Sequence, residues 1–157
     1  MIKKAESFHI DYIKKIEVEC GLSPWNRDDY LKETERSDSL FFIFEQNFEV
    51  IGFILARLIM LQSQLPHDNE AEIYNIAVGD NFRKSRIGSE LLTRVIKSAA
   101  EKNVSRIYLE VRKSNTAAIK FYQKNAFEII GERRNFYSNP PEDAVLMCRI
   151  ISYTKNV

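Results

Sequence analysis

A mixed α/β fold, with helices packed on a central β-sheet, is what the order of hydrophobic patterns predicts. Three observations carry that expectation. Two apolar runs, residues 40–45 and 48–61, stand back to back around Gln46-Asn47 and read as a β-hairpin. Ile87, Leu91, Leu92, Val95, Ile96 and Ala99 trace one face of a helix. Around that helix, strand-like and helical segments alternate, so the whole chain reads as two helices, a strand meander and then β-α-β-α-β-β.

Taken in order, Ser7 is placed to cap a first helix running to about residue 19, with Ile10, Ile13 and Ile16 on one face. Gly21 ends it. Asn26 caps a shorter helix over 27–36. After the hairpin, residues 62–69 form a polar loop containing Pro66, and a strong strand follows over 71–78. Gly79-Asp80-Asn81 breaks that strand. The amphipathic helix covers 87–100 and is followed by a strand at 106–111. Asn115 caps a helix over 116–124, and strands at 127–137 and 144–152 complete the chain.

Composition narrows the function classes. The 157 residues suit one domain spanning 1–157, long enough to bury roughly 70% of its unfolded surface. With 23 basic and 22 acidic residues the net charge is +1, which gives no bulk attraction to nucleic acid or to a membrane. Cys20 and Cys148 are too few and too far apart for a disulfide framework or a zinc site. They read as free thiols in a reducing cytoplasm. His9 and His67 lack metal-like partners, so no metal is expected. The start of the chain has no apolar signal segment, and no stretch reaches the ~18 apolar residues of a membrane span.

The chemistry concentrates between residues 75 and 137. Arg83-Lys84-Ser85-Arg86-Ile87-Gly88 joins a strand to the amphipathic helix. Unpaired N–H groups at such a helix start suit phosphate, and the cations at 83, 84 and 86 add to this. Taken alone, a basic run before a helix is more often a solvated surface. Together with Asn75-Ile76-Ala77-Val78, Leu109-Glu110-Val111-Arg112-Lys113-Ser114-Asn115, Ala117 through Tyr122, Gly131 through Tyr137 and Glu142 through Met147, the loop resembles the acetyl-CoA core of the GCN5-related N-acetyltransferases (GNAT). Within them the chain is most similar to the bacterial enzymes that acetylate the N-terminal alanine of ribosomal protein S18. Pro24-Trp25 is a weaker echo of the same family.

The resemblance implies a GNAT fold in which acetyl-CoA binds where the central strands splay. It assigns backbone groups of Ile76, Ala77 and Val78 to the pantetheine and the acetyl carbonyl. It assigns Arg83, Lys84, Ser85, Arg86, Ile87, Gly88 and Ser89 to the pyrophosphate, and Asn115 to a further cofactor contact beside its capping role. Glu110 matches the general base, acting through water, and Tyr122 the general acid. A salt bridge for Glu110 and a core position for Tyr122 are the plainer readings of those two residues. Arg134 and Tyr137 match the border of the peptide groove, with loop 62–69 as another wall. The family loop carries glycine where this chain has Arg86. At a helix start the φ angle is expected to be ordinary, and the Arg86 side chain is then free to reach phosphate or point outward; the alternative is that its bulk weakens cofactor binding.

Amine chemistry agrees with that acceptor. An α-amino group has a reference pKa of ~7.7–8.0 against ~10.4 for lysine, so roughly a tenth of it is neutral at pH 7. A carboxylate base is enough for such a substrate. A small-molecule amine or a lysine remains the alternative acceptor, and a non-catalytic CoA-binding or interaction module is the reading outside enzymes.

Overall fold

The computed structural model describes residues 1–62 and 68–151. Seven strands form one sheet in the order β1-β2-β3-β4-β5-β7-β6. They are β1 (Ile2–Lys4), β2 (Ser39–Gln46), β3 (Glu49–Ile59), β4 (Asn69–Val78), β5 (Val104–Arg112), β6 (Glu128–Ser138) and β7 (Pro141–Ile150). Only β4 and β5 pair in parallel; the other neighbours are antiparallel. Four helices join them: α1 (Ile10–Glu19), α2 (Arg27–Glu35), α3 (Ile87–Ala100) and α4 (Thr116–Lys124). The mixed sheet flanked by helices is the fold that the sequence predicts.

Strand alternation sorts the helices onto two faces. Phe41 and Ile43 of β2, with Phe53 and Leu55 of β3, meet Ile10, Ile13, Ile16 and Tyr30 from α1 and α2. Leu40, Phe42, Ile54 and Ala56 point the other way, onto Ile87, Leu91, Leu92 and Val95 of α3 and Tyr122 of α4. Because β2 and β3 are covered on both sides, they read as unbroken apolar runs. Leu91 and Leu92 have no exposed surface, and truncating either to alanine is expected to cost about 2–5 kcal/mol.

The boundaries differ from expectation in ways with local causes. Strand β1 pairs with Phe42, Ile43 and Phe44 but is only Ile2-Lys3-Lys4, too short and too charged to show a pattern. The first helical turn, Ser7 to His9, is 3₁₀ and begins at Glu6, whose N–H donates to His9 Nδ1 at 3.0 Å, so Ser7 is not the cap. Gly21 ends α1 at φ +63° as expected. The β2–β3 turn is centred on Asn47-Phe48, one residue later than expected, with both φ angles positive as a tight hairpin twist requires. The expected loop 62–69, with Pro66 and His67, lies mostly outside the described residues, as does Ser152.

Candidate active site

The two parallel strands part company at the middle of the sheet. β4 and β5 pair from Asn69 with Val104 as far as Ile73 with Leu109. Beyond that point β4 follows β3 up to Val78 opposite Gly52, and β5 follows β7 up to Arg112 opposite Ala144. Past Ile73 the β5-facing side of β4 therefore has no strand partner among the described residues, which leaves backbone groups around Ile76, Ala77 and Val78 for a ligand. A bulge sits where the split begins: Leu55 faces Asn75 and Ala56 faces Ile73, so Tyr74 is an extra residue. Tyr74 and Asn75 consequently both turn toward α1 and α2. The Tyr74 ring lies 5.6 Å from that of Trp25, and Asn75 Nδ2 donates to the Tyr30 hydroxyl at 3.1 Å.

Neighbours hold the free edge in place. A Cβ on Gly52 would lie 3.0 Å from the Ala77 carbonyl oxygen and 3.3 Å from the Val78 side chain, so β3 presses directly on this strand. The Val78 carbonyl receives the Cys20 thiol at 3.4 Å. Glu17, with no exposed surface, accepts from the Tyr30 hydroxyl at 2.6 Å, from the Trp25 N–H at 3.0 Å and from Lys14. That buried carboxylate ties the turn between α1 and α2 to the strand through Tyr30 and Asn75, a network that the sequence reading missed.

The basic loop leads straight into α3. Arg83 pairs with Asp80 at 2.7 Å, and the Ser85 hydroxyl donates to the Phe82 carbonyl. Lys84 and Arg86 adopt left-handed backbone, at φ +61° and +69°. The expectation of an ordinary φ at Arg86 is thus corrected. The position has the conformation that glycine takes freely and that costs an L residue about 1 kcal/mol or more. Arg86 is the N-cap of α3, and no side chain caps that helix. The first amides, at Ile87, Gly88 and Ser89, remain available to an anion. Arg86 borders an open surface depression along α3 with Ser89, Glu90, Thr93, Arg94 and Lys97.

Glu110 stands on the other side of the split. Leu109 and Val111 are buried beneath α3 and α4, which turns Tyr108, Glu110 and Arg112 to the opposite face. The Glu110 side chain is 11% exposed, and its Oε1 lies 3.1 Å from Arg133 Nε. Burial pushes its carboxyl above the usual range, the Arg133 charge opposes that rise, and Glu72 on β4 reinforces it. The salt bridge expected as the plainer reading is therefore present, formed with Arg133 of β6. Arg112 instead donates to the carbonyls of Asn139 and Pro140.

Tyr122 is buried between Phe121 and Phe127, with ring centroids at 5.2 and 5.4 Å. Burial first, and Tyr137 second, push its phenol far up. Tyr137 is raised by burial and then by Glu110, against Arg112. Glu110 thus acts on Tyr137, and Tyr137 in turn on Tyr122, whose ring lies in the core beneath α3 and α4. Arg134 stays apart, exposed and on the side of Lys113, whose charge it opposes. The Asn115 side-chain oxygen accepts from the Ala118 N–H at 3.1 Å, as a helix cap. Arg133 and Glu72 are the site residues that sequence reasoning missed. Counting back by twos from Tyr137 puts Arg133, and not Arg134, on the Tyr137 face.

Comparison with known proteins agrees with this geometry. Residues 10–127 match the model of the acetyltransferase (GNAT) family. The [ribosomal protein bS18]-alanine N-acetyltransferase of Haemophilus influenzae is 29% identical over 94% of this chain and 96% of its own length. An N-alpha-acetyltransferase of Sulfurisphaera tokodaii is 36% identical over 76% of this chain and 72% of its own. Among solved structures, the ribosomal-protein-S18-alanine N-acetyltransferase from Escherichia coli superposes with a TM-score of 0.83 at 28% identity, covering 100% of this chain and 97% of that one.

Proposed function

The chain belongs to the acetyltransferase (GNAT) family and is an acetyl-CoA-dependent N-acetyltransferase, and we propose that its acceptor is the N-terminal alanine α-amine of ribosomal protein bS18. The observation that carries the proposal is the Glu110 carboxylate, nearly buried beside the split between β4 and β5. Full-length similarity to bS18 enzymes supports the choice of acceptor. A carboxylate raised by burial suits an amine already partly neutral at pH 7, and suits lysine far less.

In this reading acetyl-CoA lies along the free edge of β4. Its pyrophosphate rests on the uncapped start of α3, held by backbone N–H groups between Arg83 and Ser89, and Asn115 adds a contact from the start of α4. Backbone groups of Ile76, Ala77 and Val78 bind the pantetheine and polarise the acetyl carbonyl. The acceptor nitrogen attacks the carbonyl carbon, and Glu110 takes the amine proton through water. As the tetrahedral adduct collapses the C–S bond breaks, and Tyr122 passes its phenolic proton to the departing thiolate. Tyr137 borders the peptide, whereas Arg134, on the other face of β6, is not assigned to it. Burial keeps the Tyr122 phenol protonated and also makes it a poorer proton donor, so the transfer depends on its alignment with the departing sulfur.

The test is an acetyl-CoA turnover assay over three acceptors: a bS18 N-terminal peptide, an Nα-blocked peptide with internal lysines, and small primary amines. The proposal expects the first to be fastest. Equal rates on the blocked peptide, or activity confined to small amines, would remove bS18 as the acceptor.

A further inference from the structure

Arg133 lies on the edge strand β6, two strands from Glu110, yet it is the cation that touches it. The register explains the reach. Arg133 pairs with Ala144 on β7, and Ala144 pairs with Arg112 on β5, so all three project from one face. Ala144 is small and fully buried. The Arg133 guanidinium passes over it to meet Glu110, two residues along β5 from Arg112. An irregularity in the β6–β7 pairing, between Arg133 and Tyr137, keeps both residues on this face, with Tyr137 opposite Glu142. Asn135, at φ +52°, sits within it and donates its N–H to Asp143 at 2.9 Å.

We propose that Arg133 is a positioning residue for the acetyl transfer: it reaches across β7 to hold the Glu110 carboxylate ionised and aimed at the split between β4 and β5. This rests on Glu110 being the base. The groups facing Glu110 are Glu72 from β4, Tyr108 and Arg112 from its own strand, and Arg133 and Tyr137 from β6, with Tyr122 of α4 beyond Tyr137. β7 contributes the neutral Ala144 and Leu146 opposite, Cys148 beside Tyr108, and Glu142 opposite Tyr137. Burial and Glu72 both favour the protonated, inactive form of Glu110. Arg133 is the group that opposes them. Its own side chain is 59% exposed, so its influence is screened and moderate.

The test titrates the Glu110 side-chain carboxyl by ¹³C NMR in the resting full-length protein, with the signal assigned by its loss in Glu110→Gln. Removing a cation at this distance is expected to raise the midpoint by about one unit. Arg133→Gln keeps most of the stem and removes the charge, so it should show that rise. Arg133→Lys should restore more than half of it, and Glu72→Gln should move the midpoint down. The acid limb of kcat against pH should shift with Arg133→Gln in the same direction, because the base must be unprotonated to act. An unmoved midpoint in Arg133→Gln, or a moved midpoint with an unmoved acid limb, overturns the proposal. The NMR titration needs no turnover, so it decides this assignment separately from the choice of acceptor.

Discussion

The guanidinium of Arg112 lies 4.2 Å from the centre of the Tyr137 ring and clamps the turn beyond it through the carbonyls of Asn139, at 3.0 Å, and Pro140, at 3.1 Å. Ser114 adds a hydrogen bond to Glu142 at 2.6 Å. The tip of the β6–β7 hairpin is thereby fixed to the end of β5, next to Glu110. Arg112→Ala should release Tyr137, raise the peptide KM severalfold more than that of acetyl-CoA, and cost roughly 1–2 kcal/mol of stability. Equal changes in both KM values would show that the clamp serves the sheet and not the acceptor.

Arg86→Gly should stabilise the protein, because glycine enters the left-handed conformation without the cost that arginine bears at φ +69°. A gain of about 1 kcal/mol corresponds to a Tm rise of roughly 2–4 °C in a chain of this size. Arg86 borders the α3 flank together with Thr93, Arg94 and Lys97, and the backbone amides of the loop remain in the variant, so acetyl-CoA affinity should stay within about threefold. A tenfold weakening would mean that Arg86 itself holds phosphate.

Glu110→Gln should trade activity for stability. Turnover should fall by roughly 10²–10⁴-fold while acetyl-CoA affinity is spared. The folded protein raises the Glu110 pKa, so it binds the proton more tightly than the unfolded chain does. Stability therefore declines as pH rises from the ordinary carboxylate pKa through the raised one, and the full penalty stands above it. The glutamine variant lacks that penalty. Its Tm advantage should be largest at neutral pH and vanish below the ordinary carboxylate range. An advantage that is the same at all pH values would contradict the linkage.

Tyr122→Phe should slow turnover, and the loss should shrink with acetyl donors whose thiol is more acidic than that of CoA, since such a thiolate leaves without a proton. Equal losses with both donors would reduce Tyr122 to the packing role that its contacts with Phe121 and Phe127 also fill.

Much of this arrangement was legible in the sequence because it rests on periodic patterns. The apolar face of α3, the caps at Asn26 and Asn115 and the stop at Gly21 are local signals, and all appear in the structure. What escaped is what depends on pairing between distant strands. Three residues with two lysines do not announce β1. The partner of Glu110 is set by the register of β5, β7 and β6 together, which no single segment encodes. The left-handed backbone at Arg86 runs against the residue's own preference, so only the folded loop reveals it. The extra residue Tyr74 is likewise visible only against β3.

The central claim, acetyl transfer to an α-amine beside Glu110, is tested most directly within one acceptor molecule. A peptide carrying the free N-terminal alanine of bS18 and an internal lysine would be incubated with the protein and acetyl-CoA, then mapped by tandem mass spectrometry. At pH 7 the neutral fraction of the α-amine exceeds that of lysine by roughly 10²-fold, and a buried carboxylate base adds nothing that favours lysine. The acetyl group should therefore sit on the alanine nitrogen, and the label should disappear in Glu110→Gln at matched time. Acetyl found chiefly on the lysine nitrogen, or α-acetylation undiminished in Glu110→Gln, would contradict the account.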